Sequence, residues 1–484
     1  MYIGIDLGTS SCKGLLVDKQ GHICRIHSVP YEVSYPQDGY SEQDPQQWID
    51  AMDEILDVLT SGIKDQIKGI SFGGQMHGLV ALDENDNVIR PCILWNDART
   101  EEETKYLNEV IGKDVLSAET ANIAFAGFTA PKLLWMKKNE PENFKRIRKI
   151  MLPKDYAVYR LTGVHSTDYS DASGMLLLDV KNKKWSKKMC EIVGIDEAVL
   201  PKLYESFEVV GKPVEKYGLP NAIVTAGAGD NAAAAIGTGC INNGDCNISL
   251  GTSGTVFIAS DTFSVDPQNA LHSFDHANGK YHLMGCILSA ASCNKWWIEK
   301  ILEEGDYRKA YESLVLGEGQ VYFLPYMMGE RSPHNDPFAR SAFIGMRPDT
   351  TKQELSLAIL EGVTFALKDC LEIARQNGTK IERVTVCGGG AKNELWLKLI
   401  ANAMNVDVYR LENEQGPAYG GALLAMVGAG EYPSIEKATS ALIHKSLLAE
   451  PEEKLREIYE RKYKIYSSFY PAMKQCFALM AKLK

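Results

Sequence analysis

The sequence lacks any paired arrangement of cysteines. Its eleven cysteines are scattered over 484 residues, and no two of them are separated by only two other residues. An odd number of dispersed thiols excludes a disulfide framework and is typical of a reducing compartment, where thiols stay free and mostly buried. We therefore expect a cytoplasmic protein.

The sequence also lacks a leader, a membrane-spanning run and a basic cluster. No basic stretch followed by apolar residues opens the chain, and Asp6 falls where a signal peptide requires hydrophobic side chains. Apolar runs are interrupted by charges, as Glu361 interrupts one of them. The 52 basic residues are outnumbered by 63 acidic ones, which gives a net charge of −11. These features argue against secretion, membrane contact and nucleic-acid binding.

The chain does contain a repeated tetrapeptide. Leu-Gly-Thr-Ser occurs at residues 7–10 and again at residues 250–253, about half the chain length apart, and each copy lies between apolar runs of strand type. A chain of this length is too long for one ordinary hydrophobic core. We therefore predict two similar domains, 1–243 and 244–484, with a ligand between them.

Strands alternate with helices in both halves of the sequence. This alternation, with a hairpin at the start of each half, predicts two α/β domains built on mixed sheets that are flanked by helices. The segments on which this depends are a helix over 47–63, strands over 67–83, strand–turn–helix units over 223–239 and 383–404, and a helical tail over 451–484 interrupted at Pro471.

Two Gly-Thr-Ser turns could together hold a polyphosphate. Each turn offers backbone N–H groups and two small hydroxyls, and such turns bind anionic oxygens without lysine. The predicted phosphate-binding residues are Gly8, Thr9 and Ser10 in the first copy and Gly251, Thr252 and Ser253 in the second. A carboxylate at Asp6, which precedes the first turn, is suited to hold Mg²⁺ directly or through water. One copy alone would be an ordinary turn; two copies with matched surroundings favour a nucleoside triphosphate with magnesium.

Several longer motifs make the sequence similar to a known family. The segments "GFTAPKLLW" and "MMGERSPHNDPFARSAFIGM" resemble the two signatures of the FGGY family of carbohydrate kinases, in the actin and hexokinase superfamily. The segments "SEQDPQQW", "GGQMHG", "LWNDAR", "LPKDY" and "GAGDNAAAAIG" resemble the members that phosphorylate ketoses. The resemblance implies two actin-like (ribonuclease H-like) domains with ATP, Mg²⁺ and D-xylulose in the cleft between them. It assigns sugar binding to 1–243 and ATP binding to 244–484.

The resemblance also implies roles for individual residues. Asp230 becomes the general base that accepts the proton of the sugar hydroxyl, although from the residues alone it is equally a helix N-cap. Met76, His77, Asn231 and, more weakly, Trp95 become sugar contacts. Gly388, Gly389, Gly390 and Asn393 lie against the adenosine. A buried core histidine, a strand end at Trp95 and a plain turn at the glycines are the structural alternatives.

Other readings of the motifs stay open at this point. A kinase for ribulose or a glycerol-like polyol would share every nucleotide feature, and an actin-like filament protein would share the ATP site without the sugar site. A homodimer is plausible for the family. A zinc site at His272, His276 and His282 is disfavoured because the spacing is not that of a zinc motif. We also expect Lys13 to be a solvated strand residue.

Overall fold

The structure is a computed structural model that describes residues 1–412 and 415–482. The strands are β1 (Tyr2–Leu7), β2 (Ser11–Val17), β3 (Ile23–Pro30), β4 (Glu42–Gln43), β5 (Gly69–Gly74), β6 (Val80–Leu82), β7 (Cys92–Ile93), β8 (Lys149–Met151), β9 (Ser166–Asp168), β10 (Leu178–Asp179), β11 (Lys184–Trp185), β12 (Lys202–Tyr204), β13 (Val209–Gly211), β14 (Ile223–Thr225), β15 (Ala228–Gly229), β16 (Cys246–Leu250), β17 (Gly254–Ser260), β18 (His272–Asp275), β19 (Tyr281–Ile287), β20 (Tyr322–Leu324), β21 (Ala342–Ile344), β22 (Arg383–Cys387), β23 (Asp407–Leu411) and β24 (Lys445–Ala449).

The α-helices are α1 (Pro45–Thr60), α2 (Glu101–Lys105), α3 (Lys113–Thr120), α4 (Thr129–Asn139), α5 (Pro141–Arg146), α6 (Pro153–Thr162), α7 (Tyr169–Ala172), α8 (Lys187–Val193), α9 (Asp230–Gly237), α10 (Ala291–Trp296), α11 (Tyr307–Tyr311), α12 (Lys352–Gln376), α13 (Glu394–Met404), α14 (Gly416–Gly428), α15 (Ile435–Leu442), α16 (Glu453–Tyr466) and α17 (Phe469–Ala481). Among the described residues, no helix is both long enough and apolar enough to cross a membrane.

The chain divides into two units. The first contains Met1–Ile241, Ser273–His282 and Glu414–Ile443, and the second contains Asn242–His272, Leu283–Asn413 and His444–Lys484. This grouping differs from a simple division at 243/244, because α14 from the second half of the sequence packs on β1, β5 and α9 of the first unit. Its small residues permit that close approach, which a local pattern does not reveal.

The first unit is built on a mixed sheet in the order β13-β14-β5-β1-β2-β3. Strands β1, β5 and β14 are parallel, whereas β1 and β2 form the predicted antiparallel hairpin. The predicted helix over 47–63 forms as α1, which Asp44 caps by accepting a hydrogen bond from the backbone N–H of Gln46 at 2.9 Å. Its apolar face, with Trp48, Met52 and Ile55, is buried in the core as the 3.6-residue period requires.

The second unit is also built on a mixed sheet. In its sheet the strands β17-β16-β22-β23-β24 lie in that order, with β16 and β17 as the second predicted hairpin and β22 parallel to β16. The long helix α12 begins with a reciprocal capping box between Thr351 and Glu354. In the tail, the helical break comes before α17 and not at Pro471, which lies in the first turn of that helix, where a missing N–H costs nothing.

Candidate active site

The first group of candidate residues lies at one edge of the first sheet. Asp6 is level with Gly73 across β1 and β5, and Gly73 is level with Ala228 of β15. The carboxyl ends of these parallel strands therefore meet at the same edge, and Asp230 follows immediately after β15. Because the middle strand carries only glycine there, no side chain of Gly73 stands between the two carboxylates.

Asp230 is the first residue of α9 and does not act as its N-cap. The cap position is Gly229, and no side chain caps this end of the helix. The Oδ1 atom of Asp230 instead accepts hydrogen bonds from the backbone N–H of Asn231 at 2.7 Å and from its Nδ2 at 3.0 Å. Burial raises the pKa of Asp230 to about 6. The alternative interpretation of Asp230 as a helix N-cap is therefore wrong.

Asp6 lies within the electrostatic influence of Asp230. Burial first, and then the negative charge of Asp230, raise the pKa of Asp6 to about 7, while Lys13 acts in the opposite direction. Lys13 is level with Asp6 in the hairpin, is only partly exposed, and donates from Nζ to Oε1 of Gln415 at 2.9 Å. It is therefore part of the site and not a solvated strand residue. The hairpin register, counted outward from the turn, is the signal that would have placed it there.

The first Gly-Thr-Ser turn is held by side chains from elsewhere in the first unit. Gly8 donates its backbone N–H to the carbonyl oxygen of Ser11 at 3.0 Å. The Thr9 hydroxyl donates to Oε1 of Gln75 at 3.1 Å and accepts from the indole N–H of Trp95 at 2.9 Å. Ser10 remains exposed. The structure thus brings Trp95 to the first Gly-Thr-Ser turn, and the residue is 41% exposed.

Gln43 and Gln75 connect this turn to the core and were missed in the sequence. The Nε2 atom of Gln43 donates to the Thr9 carbonyl oxygen at 2.7 Å, and Nε2 of Gln75 donates to Oε1 of Gln43 at 3.0 Å. Both glutamines are buried. Each belongs to a motif that carries the family resemblance, "SEQDPQQW" or "GGQMHG", which is the available signal. A buried, fully hydrogen-bonded network of this kind makes the turn rigid.

Met76 and His77 lie beside the candidate base. The amide nitrogen of Asn231 is 3.9 Å from the Met76 sulfur. His77 has a left-handed backbone with φ of 69°, its Nδ1 is 2.8 Å from the Gly174 carbonyl oxygen, and its ring stands 4.6 Å from the ring of Phe128. The structure therefore brings Met76, His77, Asp230 and Asn231 into one region.

Helix α4, which carries the first family signature, holds the backbone of His77. The hydroxyl of Thr129 and Nζ of Lys132 both donate to the His77 carbonyl oxygen, at 3.0 Å and 2.8 Å. Lys132 is fully buried, and this burial lowers its pKa to about 7. Thr129 and Lys132 thus stabilise the unfavourable left-handed backbone of His77. In the sequence, the first family signature was the only feature that indicated this support.

Lys132 provides a test of this arrangement by pH. Because the folded protein releases the lysine proton near pH 7 and the unfolded chain near pH 10.4, the unfolded chain binds more protons between these values. Stability should therefore rise with pH in this window, relative to Lys132→Met, by up to about 1.4 kcal/mol per pH unit. Urea unfolding of both proteins at pH 7 and pH 9.5 measures the difference. An identical pH dependence in the two proteins would contradict it.

The second unit contains a large pocket beside its own Gly-Thr-Ser turn. The pocket has a volume of about 1240 Å³ and is lined by Gly251, Thr252, Gly389, Gly390 and Asn393, together with the aromatic side chains of Trp296, Tyr307 and Tyr311. Aromatic and glycine surfaces of this kind suit a flat heterocycle with a phosphate chain. The predicted glycine turn is therefore part of a ligand-sized cavity.

Two predicted nucleotide residues have other local roles. Gly388 has φ of 86°, and a methyl group on it would lie 2.9 Å from the carbonyl oxygen of Leu250, so only glycine fits between the strand ends. Asn393 caps α13 by accepting from the backbone N–H of Trp396 at 3.3 Å. Ser253 is exposed and does not line the pocket.

The three histidines of the "HSFDHANGKYH" segment are all buried. His276 contacts the Cys240 carbonyl oxygen through Nε2 at 2.9 Å, and burial lowers the pKa of His272 to about 3. Within residues 1–412 and 415–482, no group of three or more His, Cys, Asp or Glu side chains is arranged to hold a metal ion.

The fold is that of a phosphotransferase with two α/β domains of the actin type. The chain belongs to the FGGY family of carbohydrate kinases. Models of the "FGGY family of carbohydrate kinases" match residues 1–237 for the N-terminal domain and 246–429 for the C-terminal domain. The predicted family and the predicted two-domain mixed α/β fold are confirmed by these matches.

Named relatives cover nearly the whole chain. The chain is 40% identical to the xylulose kinase of Lactococcus lactis, over 97% of this chain and 96% of that protein. It is 37% identical to the xylulose kinase of Bacillus subtilis, with the same coverage. The crystal structure of a xyloylose kinase from Brucella ovis is 40% identical, with a TM-score of 0.93, and the match covers 98% of this chain and 99% of that one.

Proposed function

We propose that this protein transfers the γ-phosphoryl group of ATP to the 5-hydroxyl of D-xylulose. The observation that supports this most directly is the alignment of Asp6, Asp230 and Asn231 at one sheet edge, beside Met76 and His77. The family relationship supports a sugar kinase, and the names of the full-length relatives favour xylulose among the possible sugars.

In this proposal Asp230 accepts the proton of the attacking hydroxyl. The carboxylate is ionised above its pKa of about 6, so it is available as a base at neutral pH. Asn231 holds Oδ1 through two hydrogen bonds and so orients the carboxyl group. Because phosphoryl transfer has a loose transition state, positioning matters more than the strength of the base.

Met76, His77 and Asn231 are the proposed sugar contacts. His77 is anchored through its carbonyl oxygen and its ring, so its orientation is determined before the sugar binds. Trp95 is proposed to contact the sugar with the exposed part of its ring, while its N–H maintains the phosphate hairpin. Preorganised contacts of this kind lower the entropy cost of binding.

ATP is proposed to bind in the pocket of the second unit. The adenosine would lie against Gly389, Gly390 and Asn393, and the phosphates against Gly251 and Thr252 of the second Gly-Thr-Ser turn. Lys13, beside Asp6, supplies a positive charge for anionic oxygens.

The residues at Asp6 fit a magnesium ion. Asp6 and Asp230 bring two carboxylate groups to one sheet edge, and carboxylate oxygens are ligands that a magnesium ion takes. Asp6 would hold the ion directly or through water. When bound, Mg²⁺ would neutralise charge on the transferring phosphoryl group.

Coupled release of ADP tests the reaction and the sugar together. With MgATP and a panel of D-xylulose, D-ribulose, L-ribulose, glycerol and gluconate, we expect D-xylulose to give by far the strongest release over a small background without sugar. Stronger release with another member of the panel would replace the proposed substrate. Slow release that no sugar accelerates would contradict the kinase function.

A further inference from the structure

A buried ion pair lies behind the two segments that carry the proposed sugar contacts and base. Lys154, in the "LPKDY" segment, is fully buried, and its Nζ is 2.9 Å from Oδ1 of Asp168 and 2.6 Å from Oδ1 of Asp155. The positive charge on Lys154 compensates a carboxylate that burial would otherwise disfavour. A buried pair of this kind has no direct access to a ligand.

Asp168 is linked through Ser170 to the backbone that precedes the candidate base. The Ser170 hydroxyl donates to Oδ2 of Asp168, and the same hydroxyl oxygen accepts the backbone N–H of Gly229 at 3.2 Å. Gly229 immediately precedes Asp230 and stands at the N-terminus of α9. An ion pair from Lys154 to Asp168 and two hydrogen bonds through Ser170 therefore link Lys154 to the backbone N–H of Gly229, the residue before the candidate base.

The same ion pair also supports the strand that leads to His77. Gly74 is paired with Gly229 in the sheet, and a methyl group on Gly74 would lie 2.6 Å from Cβ of Lys154. The stem of Lys154 thus packs directly on the end of β5, two residues before Met76. Lys154 therefore contacts the first segment directly and is linked to the second through Asp168 and Ser170.

We infer that Ser170, backed by the Lys154–Asp168 pair, is a positioning residue that orients Asp230 for proton transfer. The inference rests on the proposed role of Asp230. Ser170 is fully buried and does not touch the reacting atoms, so its contribution should appear in the turnover number and not in the binding of either substrate.

Ser206 offers a matched control for this inference. Its hydroxyl donates to the same Oδ2 atom of Asp168, at 2.7 Å, and it is equally buried, but the Gly229 N–H is hydrogen-bonded to Ser170 and not to Ser206. Removing either hydroxyl deprives Asp168 of one hydrogen bond. Only the removal of the Ser170 hydroxyl also leaves the Gly229 N–H without its acceptor.

The experiment compares Ser170→Ala with Ser206→Ala in steady-state kinetics and thermal unfolding. We expect Ser170→Ala to lower kcat with D-xylulose about tenfold with KM for both substrates nearly unchanged. We expect Ser206→Ala to stay within about twofold of wild-type kcat, with a similar thermal midpoint to Ser170→Ala. Equal kcat values in the two variants would overturn the inference.

Two further variants keep the result interpretable. If Ser170→Ala does not fold, Ser170→Cys retains nearly the same volume with a weaker acceptor and should show a smaller loss of kcat in the same direction. Asp230→Asn tests the role of Asp230 as the base separately from the positioning role of Ser170. If Asp230→Asn is inactive while Ser170→Ala is fully active, only the positioning role of Ser170 is wrong. If Asp230→Asn is active, the proposed base itself is wrong.

Discussion

Replacing Asp230 with asparagine is expected to lower sugar-dependent ADP release by at least about 100-fold. Asparagine keeps the size of the side chain and can still pair with Asn231, but it cannot accept the proton of the sugar hydroxyl. Asp230 does not line the pocket of the second unit in which ATP is proposed to bind, so binding of MgATP should be largely retained. Coupled ADP release and titration with MgATP measure the two properties separately.

The stability of this variant gives an independent check. Because the pKa of Asp230 is raised to about 6 in the folded protein, ionisation of this group opposes folding above that pH. Asp230→Asn removes this cost, so the thermal midpoint at pH 8 should equal or exceed that of the wild type. Loss of activity without loss of stability would then reflect chemistry and not misfolding.

Asp44→Asn is the matched control. Asp44 also stands at the start of a helix in the first unit, where it caps α1, and asparagine caps a helix about as well as aspartate. We expect unchanged turnover and an unchanged thermal midpoint. Retained turnover in Asp230→Asn, or an equal loss in Asp44→Asn, would contradict the assignment of the base.

The largest effect on stability is expected from Gly420→Ala. Helix α14 lies so close to α9 that a methyl group at Gly420 would stand 1.8 Å from the carbonyl oxygen of Ala233. Backbone atoms cannot move away by changing rotamer, so the helices must separate. We expect a loss of about 3 kcal/mol or more, seen as a lower thermal midpoint and a lower yield of folded protein.

The adjacent Gly421→Ala distinguishes packing from backbone flexibility. A methyl group there would meet its nearest atom, the Ser71 carbonyl oxygen, at 3.3 Å, which requires only a small adjustment. Alanine in a helix is favoured over glycine by about 1 kcal/mol, which offsets that adjustment. We expect stability within about 1 kcal/mol of the wild type. Equal destabilisation by both substitutions would contradict the close approach of α14 and α9.

Local patterns predicted the elements around the site well. The two hairpins, α1, the strand–turn–helix unit that contains Asp230 and the triple-glycine turn all form as predicted. In each case the signal is short-range: a period of two or 3.6 residues, or glycine at a tight turn. The family motifs then identified the class of enzyme, because they combine residues that no single period would select.

The local sequence patterns did not predict contacts between segments that are far apart in the sequence. Thr9 is held by Trp95 and Gln75, and Lys13 is partnered by Gln415, a residue about 400 positions away. Such pairs depend on which strands lie next to each other in the fold, and the spacing of residues in the sequence does not predict this. The return of α14 to the first unit was missed for the same reason.

The amino-acid sequence by itself determined the repeated Gly-Thr-Ser turns, the alternation of strands and helices and the membership of the FGGY family, because all three are properties of contiguous residues. Only the tertiary structure decided that Asp6 and Asp230 share one sheet edge, and that Lys154, Asp168 and Ser170 support it from within. The physical reason is burial: in the folded core, side chains far apart in sequence must satisfy one another's charges and hydrogen bonds.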